Sequence, residues 1–167
     1  MNPPHIFQIV GFKNAGKTTL LCKLIGRLKA SGKLVGTIKH DGHDFVMDHP
    51  GTDTWQHQQA GADAVAITSA HQTAWIRKQA TPLEDLIEGM SDMDVILVEG
   101  FKTADYPKLV LLRSPEDQVL LSQLSHPVGI IYGYDEVESN LPLRETPGFH
   151  RDDDADIARL LLSIMGD

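Results

Sequence analysis

Eight consecutive residues near the start of the chain, Gly11-Phe12-Lys13-Asn14-Ala15-Gly16-Lys17-Thr18, carry the densest chemistry in the sequence. Gly11 and Gly16 permit backbone angles that other residues resist, so successive N–H groups can turn inward toward an anion. Lys17 adds an ammonium and Thr18 a hydroxyl. In the spacing G-x-x-x-x-G-K-[ST], backbone amides cradle phosphates, the lysine meets the β- and γ-phosphates, and the hydroxyl ligates Mg2+. The pattern assigns Gly11, Lys13, Asn14, Ala15, Gly16, Lys17, Thr18 and Thr19 to the phosphates of a purine nucleotide, and gives Lys17 a catalytic role as well.

A second group of residues reads as complementary to that loop. Val95-Ile96-Leu97-Val98-Glu99 is an apolar run closed by an acid, and an acid at the end of a nearby strand is the usual partner of Mg2+ in such proteins. Glu99 is therefore expected on the metal side of the site. Asp41 is expected as a second acid around Mg2+ or as a base for water, and His40 and His43 at phosphate or at a partner's substrate. His40, His43, His49 and His57 lie close together in sequence with several acids. A transition-metal site is one reading of that cluster, and solvated loop histidines are the commoner one. Turn formation and helix capping suffice to explain Asp48 and Asp53 beside Pro50-Gly51. Lys102 is either an attractor for an anionic ligand or a solvated lysine. Trp55 and Trp75 read as core or partner-contact residues, and Cys22 as a small core residue.

The elements that must position these groups follow from periodicity. Ile6–Val10 reads as a buried parallel strand. The helix after it, Thr18–Lys29, repeats Leu20, Leu21, Leu24, Ile25 and Leu28 at helical spacing and stops at Ser31-Gly32. Leu34–Lys39 is a second strand, and His40 to Thr54 a polar, turn-rich functional loop. A short helix is expected at Thr54–Ala60, paired short strands at Ala64–Thr68 and Ala74–Lys78, and a helix at Pro82–Met90 with Thr81 as its cap. Further strands fall at Val95–Val98, Lys108–Leu112 and Val128–Tyr132, with a helix at Pro115–Leu124 capped by Ser114. A closing helix spans Asp152–Met165, its first turn acidic. Alternating strands and helices imply an α/β layered structure with a largely parallel sheet. With no repeat or linker in sight, one domain over 1–167 is the simplest organisation.

Composition bounds the function. The 167 residues are 41% hydrophobic and 23% charged, which is globular. A formal net charge of −8 argues against a general nucleic-acid binder. No apolar run reaches the roughly 20 residues of a membrane span, and the opening Met1-Asn2-Pro3-Pro4-His5 has no basic start or apolar core of a secretion signal. A cytoplasmic location is expected. A single cysteine excludes an internal disulfide and a multi-cysteine zinc site.

Five stretches together resemble one family: G-F-K-N-A-G-K-T-T-L, T-I-K-H-D-G-H-D-F, D-H-P-G-T-D-T-W, Q-A-G-A-D-A and D-V-I-L-V-E-G-F-K. They are similar to MobB, the molybdopterin-guanine dinucleotide biosynthesis adapter family, over residues 6 to 112. The phosphate loop is shared by many families; the I-K-H-D and V-E-G-F-K pair is far more particular. The resemblance implies a P-loop NTPase-like, three-layer fold and a homodimer that binds GTP with Mg2+ and hydrolyses it weakly. It further implies that the protein assists a MobA-type guanylyltransferase, which joins GMP to Mo-molybdopterin, with molybdopterin or a molybdoenzyme as further partners. On this reading Thr18 and Glu99 belong to the Mg2+ site and the Lys39–Asp53 loop faces nucleotide or partner. Two departures stand out. Phe12 occupies the position after the first glycine where related dimeric proteins often carry a signature lysine, and no N-K-x-D motif reads guanine, so the GTP preference comes from the resemblance. Val128–Asp135 is the expected base-contacting region. The alternatives are a metallochaperone GTPase, disfavoured by the lack of paired cysteines, and a small-molecule kinase, disfavoured because Arg77, Arg113, Arg144 and Arg151 do not cluster in sequence.

Overall fold

The strand Ile6–Val10 is apolar at nearly every position, and such a strand is stable only when both faces of its sheet are covered. In the computed structural model, which describes residues 3–134 and 146–166, that condition is met. The chain forms two compact units: one built from the described residues up to His40 together with those from Leu86 onward, the other from Asp41–Asp85.

The first unit is organised on a six-stranded sheet. Its strands are β1 (His5–Gly11), β2 (Val35–Lys39), β5 (Val95–Glu99), β6 (Lys108–Leu112), β7 (Pro127–Tyr132) and β8 (Gly148–His150). The order is β2-β5-β1-β6-β7-β8, and every neighbouring pair is parallel. On one face Phe7 and Ile9 of β1, Val95 and Leu97 of β5, and Leu109 and Leu111 of β6 meet two helices, α1 (Lys17–Ala30) and α4 (Asp154–Met165). The helices contribute Leu20, Leu21, Leu24 and Leu28 from α1 and Ile157, Ala158 and Leu161 from α4. On the other face Val10, Val110, Leu112 and Ile130 pack with Leu120 of a 3-10 helix over Pro115–Ser122. Lys23 and Arg27 of α1 pair with Asp152 and Asp154 at the start of α4.

The second unit carries α2 (Asp53–Gln59) and a two-stranded antiparallel hairpin, β3 (Ala64–Thr68) with β4 (Thr73–Arg77). Thr52 caps α2 by accepting the Trp55 N–H. Asp48 organises the turn before it, accepting from His49 N–H, the Thr52 hydroxyl and the Gln58 amide. Its carboxyl is drawn upward by desolvation, but these hydrogen bonds outweigh that and hold it below the ordinary aspartate range. A six-residue helix, α3 (Leu83–Glu88), straddles the boundary in sequence.

Two expectations are corrected, and one strand is added. Cys22 is exposed on α1 rather than part of the core: it follows the buried Leu21 but falls outside the stripe made by Leu20, Leu21, Leu24 and Leu28. The segment after Ser114 is 3-10 helix, and Ser114 makes no side-chain cap to a helix N–H. The three-residue strand β8, paired to β7 through Ile130–Gly148, Ile131–Phe149 and Tyr132–His150, is too short to show period-two patterning. Leu24→Ala, at a site with no solvent exposure, is expected to cost about 3 kcal/mol in urea denaturation. Cys22→Ser should stay within about 0.5 kcal/mol of the native protein; an equal loss for both would put the thiol back in the core.

Candidate nucleotide site

In a parallel sheet every strand ends on the same edge, so Gly11, Lys39, Glu99 and Leu112 close their strands side by side. β1 lies between β5 and β6 there. The loop from Phe12 to Gly16 leaves β1 at that edge and enters α1. Gly11 is required by close approach, because a Cβ at that position would come 2.9 Å from the Leu111 carbonyl oxygen. Asn14 adopts φ 62° and Gly16 φ 91°. Gly16 caps α1 without any side-chain bond, and the first turn holds no acid. The free N–H groups and the positive end of the helix dipole thus face the loop with no internal carboxylate to satisfy them.

Lys17 bends back across this loop, its Nζ donating to the Phe12 carbonyl at 2.9 Å and the Gly11 carbonyl at 3.3 Å. Burial pushes its pKa below the ordinary lysine value; Glu99 pulls it up, while Lys102, Lys39 and Arg113 add to the downward push. Thr18 Oγ1 lies 3.0 Å from each carboxylate oxygen of Glu99, to which its hydroxyl donates. Glu99 is 7% exposed, so its carboxylate is buried, while Thr18 faces the open mouth of the loop as an exposed residue. A hydroxyl and a hard carboxylate facing each other at the mouth of a phosphate loop are the donor set that Mg2+ takes. The residues present fit that ion.

The sequence-predicted residues fall into two groups. Lys17, Thr18, Glu99 and the loop from Gly11 to Thr19 converge at one edge of the first unit. His40 adjoins them: its N–H donates to the Glu99 carbonyl, and its ring lies 4.7 Å from that of Phe101. Asp41 opens the second unit, where its carboxylate accepts the His43 N–H at 3.3 Å. Among the described residues no group of three or more His, Cys, Asp and Glu side chains is arranged to hold a metal ion. Asp94 lies at the far end of β5, accepting the Leu34 N–H. Of the expected base-contacting stretch, Val128–Tyr134 is described and Asp135 lies outside the described residues.

Several groups around the loop escaped the sequence reading. Arg113 binds the buried Asp117 through Nε and Nη2, each at 2.8 Å, and donates Nη1 to the Lys13 carbonyl at 3.2 Å. The hydrogen bonds from Arg113 outweigh desolvation and hold the Asp117 carboxyl below the ordinary aspartate range. The Phe12 ring has the Lys102 Nζ 5.0 Å and the Arg113 guanidinium carbon 5.3 Å from its centre, within cation–π range. The signal for the ion pair was the i, i+4 spacing of Arg113 and Asp117. Nothing in the sequence announced that both cations gather on Phe12.

The loop at the end of β1, the uncapped helix behind it and the acid at the end of β5 together define a P-loop α/β protein. Residues 6–131 match the family Molybdopterin guanine dinucleotide synthesis protein B, and the chain belongs to that family, MobB. The probable molybdopterin-guanine dinucleotide biosynthesis adapter protein of Bacillus subtilis (strain 168) is 33% identical over 171 aligned residues, spanning 100% of this chain and 97% of that protein. The adapter protein of Escherichia coli (strain K12) is 37% identical over 128 residues, 69% of this chain and 72% of its own length. The crystal structure of Bacillus subtilis MobB superimposes with a TM-score of 0.79 at 34% identity, covering 97% of each chain. A MobB homologue from Bacillus stearothermophilus gives 0.75 at 28% identity.

Two measurements test this geometry. Gly100 follows Glu99 at φ 97°, and a Cβ there would stand 3.1 Å from that of His40. Gly100→Ala should therefore lower stability by about 1–2 kcal/mol in urea unfolding. The depressed pKa of Asp117 means that its ion pair stabilises the fold fully above the unfolded aspartate pKa. That contribution is lost as pH falls through the lower folded-state value. The stability gap between the native protein and Asp117→Asn should be widest at neutral pH and close in strong acid. A gap independent of pH would assign Asp117 a packing role alone.

Proposed function

We propose that the protein is a cytoplasmic adapter in molybdopterin guanine dinucleotide synthesis that binds GTP with Mg2+ at the Gly11–Thr19 loop. It acts as a homodimer and assists a MobA-type guanylyltransferase, with molybdopterin or a molybdoenzyme as a further contact. Any GTP hydrolysis is weak. The observation that carries the reading is the Thr18–Glu99 pair at the mouth of a complete phosphate loop. Membership of MobB and the adapter names of its relatives support the pathway.

The chemistry of each residue follows from its position. The loop amides and the α1 N-terminus would bind the phosphates, and Lys17 would exchange its two loop carbonyls for phosphate oxygens. Thr18 Oγ1 and Glu99 would hold Mg2+ directly or through water, and that ion would supply neutralisation of the β- and γ-phosphate charge. Weak hydrolysis fits the commitments of Arg113. Its Nε and both Nη groups are already engaged by Asp117 and the Lys13 carbonyl, so it is not poised to stabilise a leaving phosphate. Assembly is supported by the hairpin β3–β4, which exposes Ile67 at 56% and Trp75 at 68%. A lone two-stranded hairpin is marginal in water, and large apolar residues displayed on one are suited to contact with another chain. Among the described residues no helix is long and apolar enough to cross a membrane.

Calorimetry against GTP and ATP, with and without Mg2+, tests the nucleotide, and co-purification with a MobA-type enzyme tests the partner. Lys17→Ala should weaken triphosphate binding roughly 10- to 100-fold. Glu99→Gln should abolish the gain in affinity that Mg2+ provides. An unchanged affinity in Lys17→Ala would remove the γ-phosphate from this loop, and equal affinity for ATP with no such partner would favour a kinase. The pH dependence has a definite sign. A bound polyphosphate raises the Lys17 pKa from its depressed free value, so affinity is full below that free value and falls as pH rises through it. Guanine itself loses a proton in alkali, so the Lys17 contribution is the part of the decline that differs between the native protein and Lys17→Ala. That part should start below the ordinary lysine range.

A further inference from the structure

Gln8 and Lys108 are polar residues with no solvent exposure, on adjacent strands β1 and β6. They are direct partners in the parallel register, so they share the sheet face opposite α1 and α4. Filling both positions with apolar residues would pack the same space without burying an amide and an ammonium, and burying such groups is costly unless each is fully bonded. Both are bonded, and to the same stretch of chain. Gln8 Nε2 donates to the carbonyls of Gly100 at 3.1 Å and Phe101 at 2.6 Å, and Oε1 accepts the Tyr106 N–H at 3.3 Å. Lys108 Nζ donates to the carbonyls of Ala104 at 2.7 Å and Tyr106 at 2.9 Å, and to Ser125 Oγ at 3.3 Å. The two side chains thus anchor the connection from Glu99 to β6 at its beginning and its end.

That connection is held in a conformation it would not choose alone. Gly100 and Phe101 both have positive φ, at 97° and 51°, and a bulky aromatic residue there is strained. Phe101 turns its ring to His40, and the next residue, Lys102, places its Nζ over the Phe12 ring of the phosphate loop. Among the described residues no carboxylate pairs with Lys102. Lys102 lies three residues beyond Glu99 in the chain.

We propose that Gln8 and Lys108 are positioning residues that fix the turn after Glu99 so that Lys102 serves as a second cation, beside Lys17, for the terminal phosphate of a bound nucleoside triphosphate. The inference rests on the nucleotide-binding reading above. Two ammonium groups directed at one region repel each other until an anion lies between them. Lys17 Nζ donates to the Phe12 carbonyl at 2.9 Å and Lys102 Nζ lies 5.0 Å from the centre of the Phe12 ring, so both cations meet at one residue of the loop. The turn therefore raises affinity for a nucleotide with a third phosphate more than for one with two.

The test compares GTP and GDP affinities in Mg2+ by calorimetry on the full chain. Lys102→Gln should weaken GTP roughly tenfold and leave GDP within about twofold. Gln8→Met, of similar length but without hydrogen bonds, should cause the same selective loss. Combining the two should lower the GTP-to-GDP ratio no further than Lys102→Gln alone, because both remove one contact. Should Gln8→Met fail to fold, Lys108→Met removes the other anchor of the same connection and should reproduce the loss. An unchanged ratio in Lys102→Gln overturns the proposal. A folded Gln8→Met, or Lys108→Met in its place, that loses melting temperature but keeps the ratio overturns the positioning role. If the native protein binds neither nucleotide, the nucleotide reading falls and takes this inference with it. If it binds GTP, and Lys17→Ala abolishes binding while Lys102→Gln changes nothing, only the inference falls.

Discussion

Thr18 and Glu99 are 81 residues apart in the chain and 3.0 Å apart in space. What closes that distance is the pairing of β1 with β5, in which Ile9 stands opposite Glu99. The register brings Glu99 level with the end of β1 just as the chain turns into the phosphate loop, and α1 then delivers Thr18 to it. A shift of one residue would send the side chain of Glu99 to the opposite face of the sheet and expose the apolar residues beside it. The same apolar burial that makes the sheet stable therefore fixes the carboxylate to which the loop is matched. Stability and site geometry share one set of contacts, with Val95 and Leu97 packed on one face of β5 while Glu99 closes the strand.

The charge distribution runs against the average of the chain. A protein of net charge −8 collects Lys17, Lys39, Lys102 and Arg113 near one strand edge, with Glu99 the acid that offsets Lys17 there. Among the described residues, Arg113 alone of these four forms an ion pair, with Asp117. Like charges gathered without compensation destabilise a free protein modestly, and a polyanion that binds there removes the penalty. The acidic remainder of the surface discourages long nucleic acids while leaving this edge attractive to a small, highly charged ligand. Discrimination by size thus accompanies discrimination by charge.

Much of this arrangement was legible in the sequence, and the reason is periodicity and punctuation. The phosphate loop announces itself because each of its constraints requires a particular residue type: Gly11 by contact with Leu111, Lys17 and Thr18 by chemistry. The strand Val95–Glu99 reads directly as an apolar run ended by an acid. The nearly continuous apolar character of β1 and β5 signals coverage on both faces. β8 was not legible, because three residues cannot establish a pattern. Cys22 was misplaced because an apolar neighbour at i−1 says little about facing on a helix, where adjacent residues differ by about 100°. The gathering of Lys102 and Arg113 on Phe12 was hidden for a different reason. It depends on three loops meeting at one strand edge, and no local rule of spacing encodes a meeting between loops.

Gln8 shows where a sequence speaks without being understood. An amide in the middle of Ile6-Phe7-Gln8-Ile9-Val10 breaks an otherwise apolar strand, and sequence-level consistency would favour another valine or isoleucine. The violation has its explanation on a neighbouring strand. The turn that follows Glu99 has carbonyls directed at the Gln8 amide, and orphaned carbonyls in a core cost more than a well-bonded amide does. A polar residue on β1, and a lysine in register on β6, are the nearest places from which those groups can be satisfied. The strained turn and the buried pair are therefore one feature. The φ of Phe101 is tolerated because Gln8 binds its carbonyl, and Gln8 is tolerated in the core because that carbonyl is there to bind.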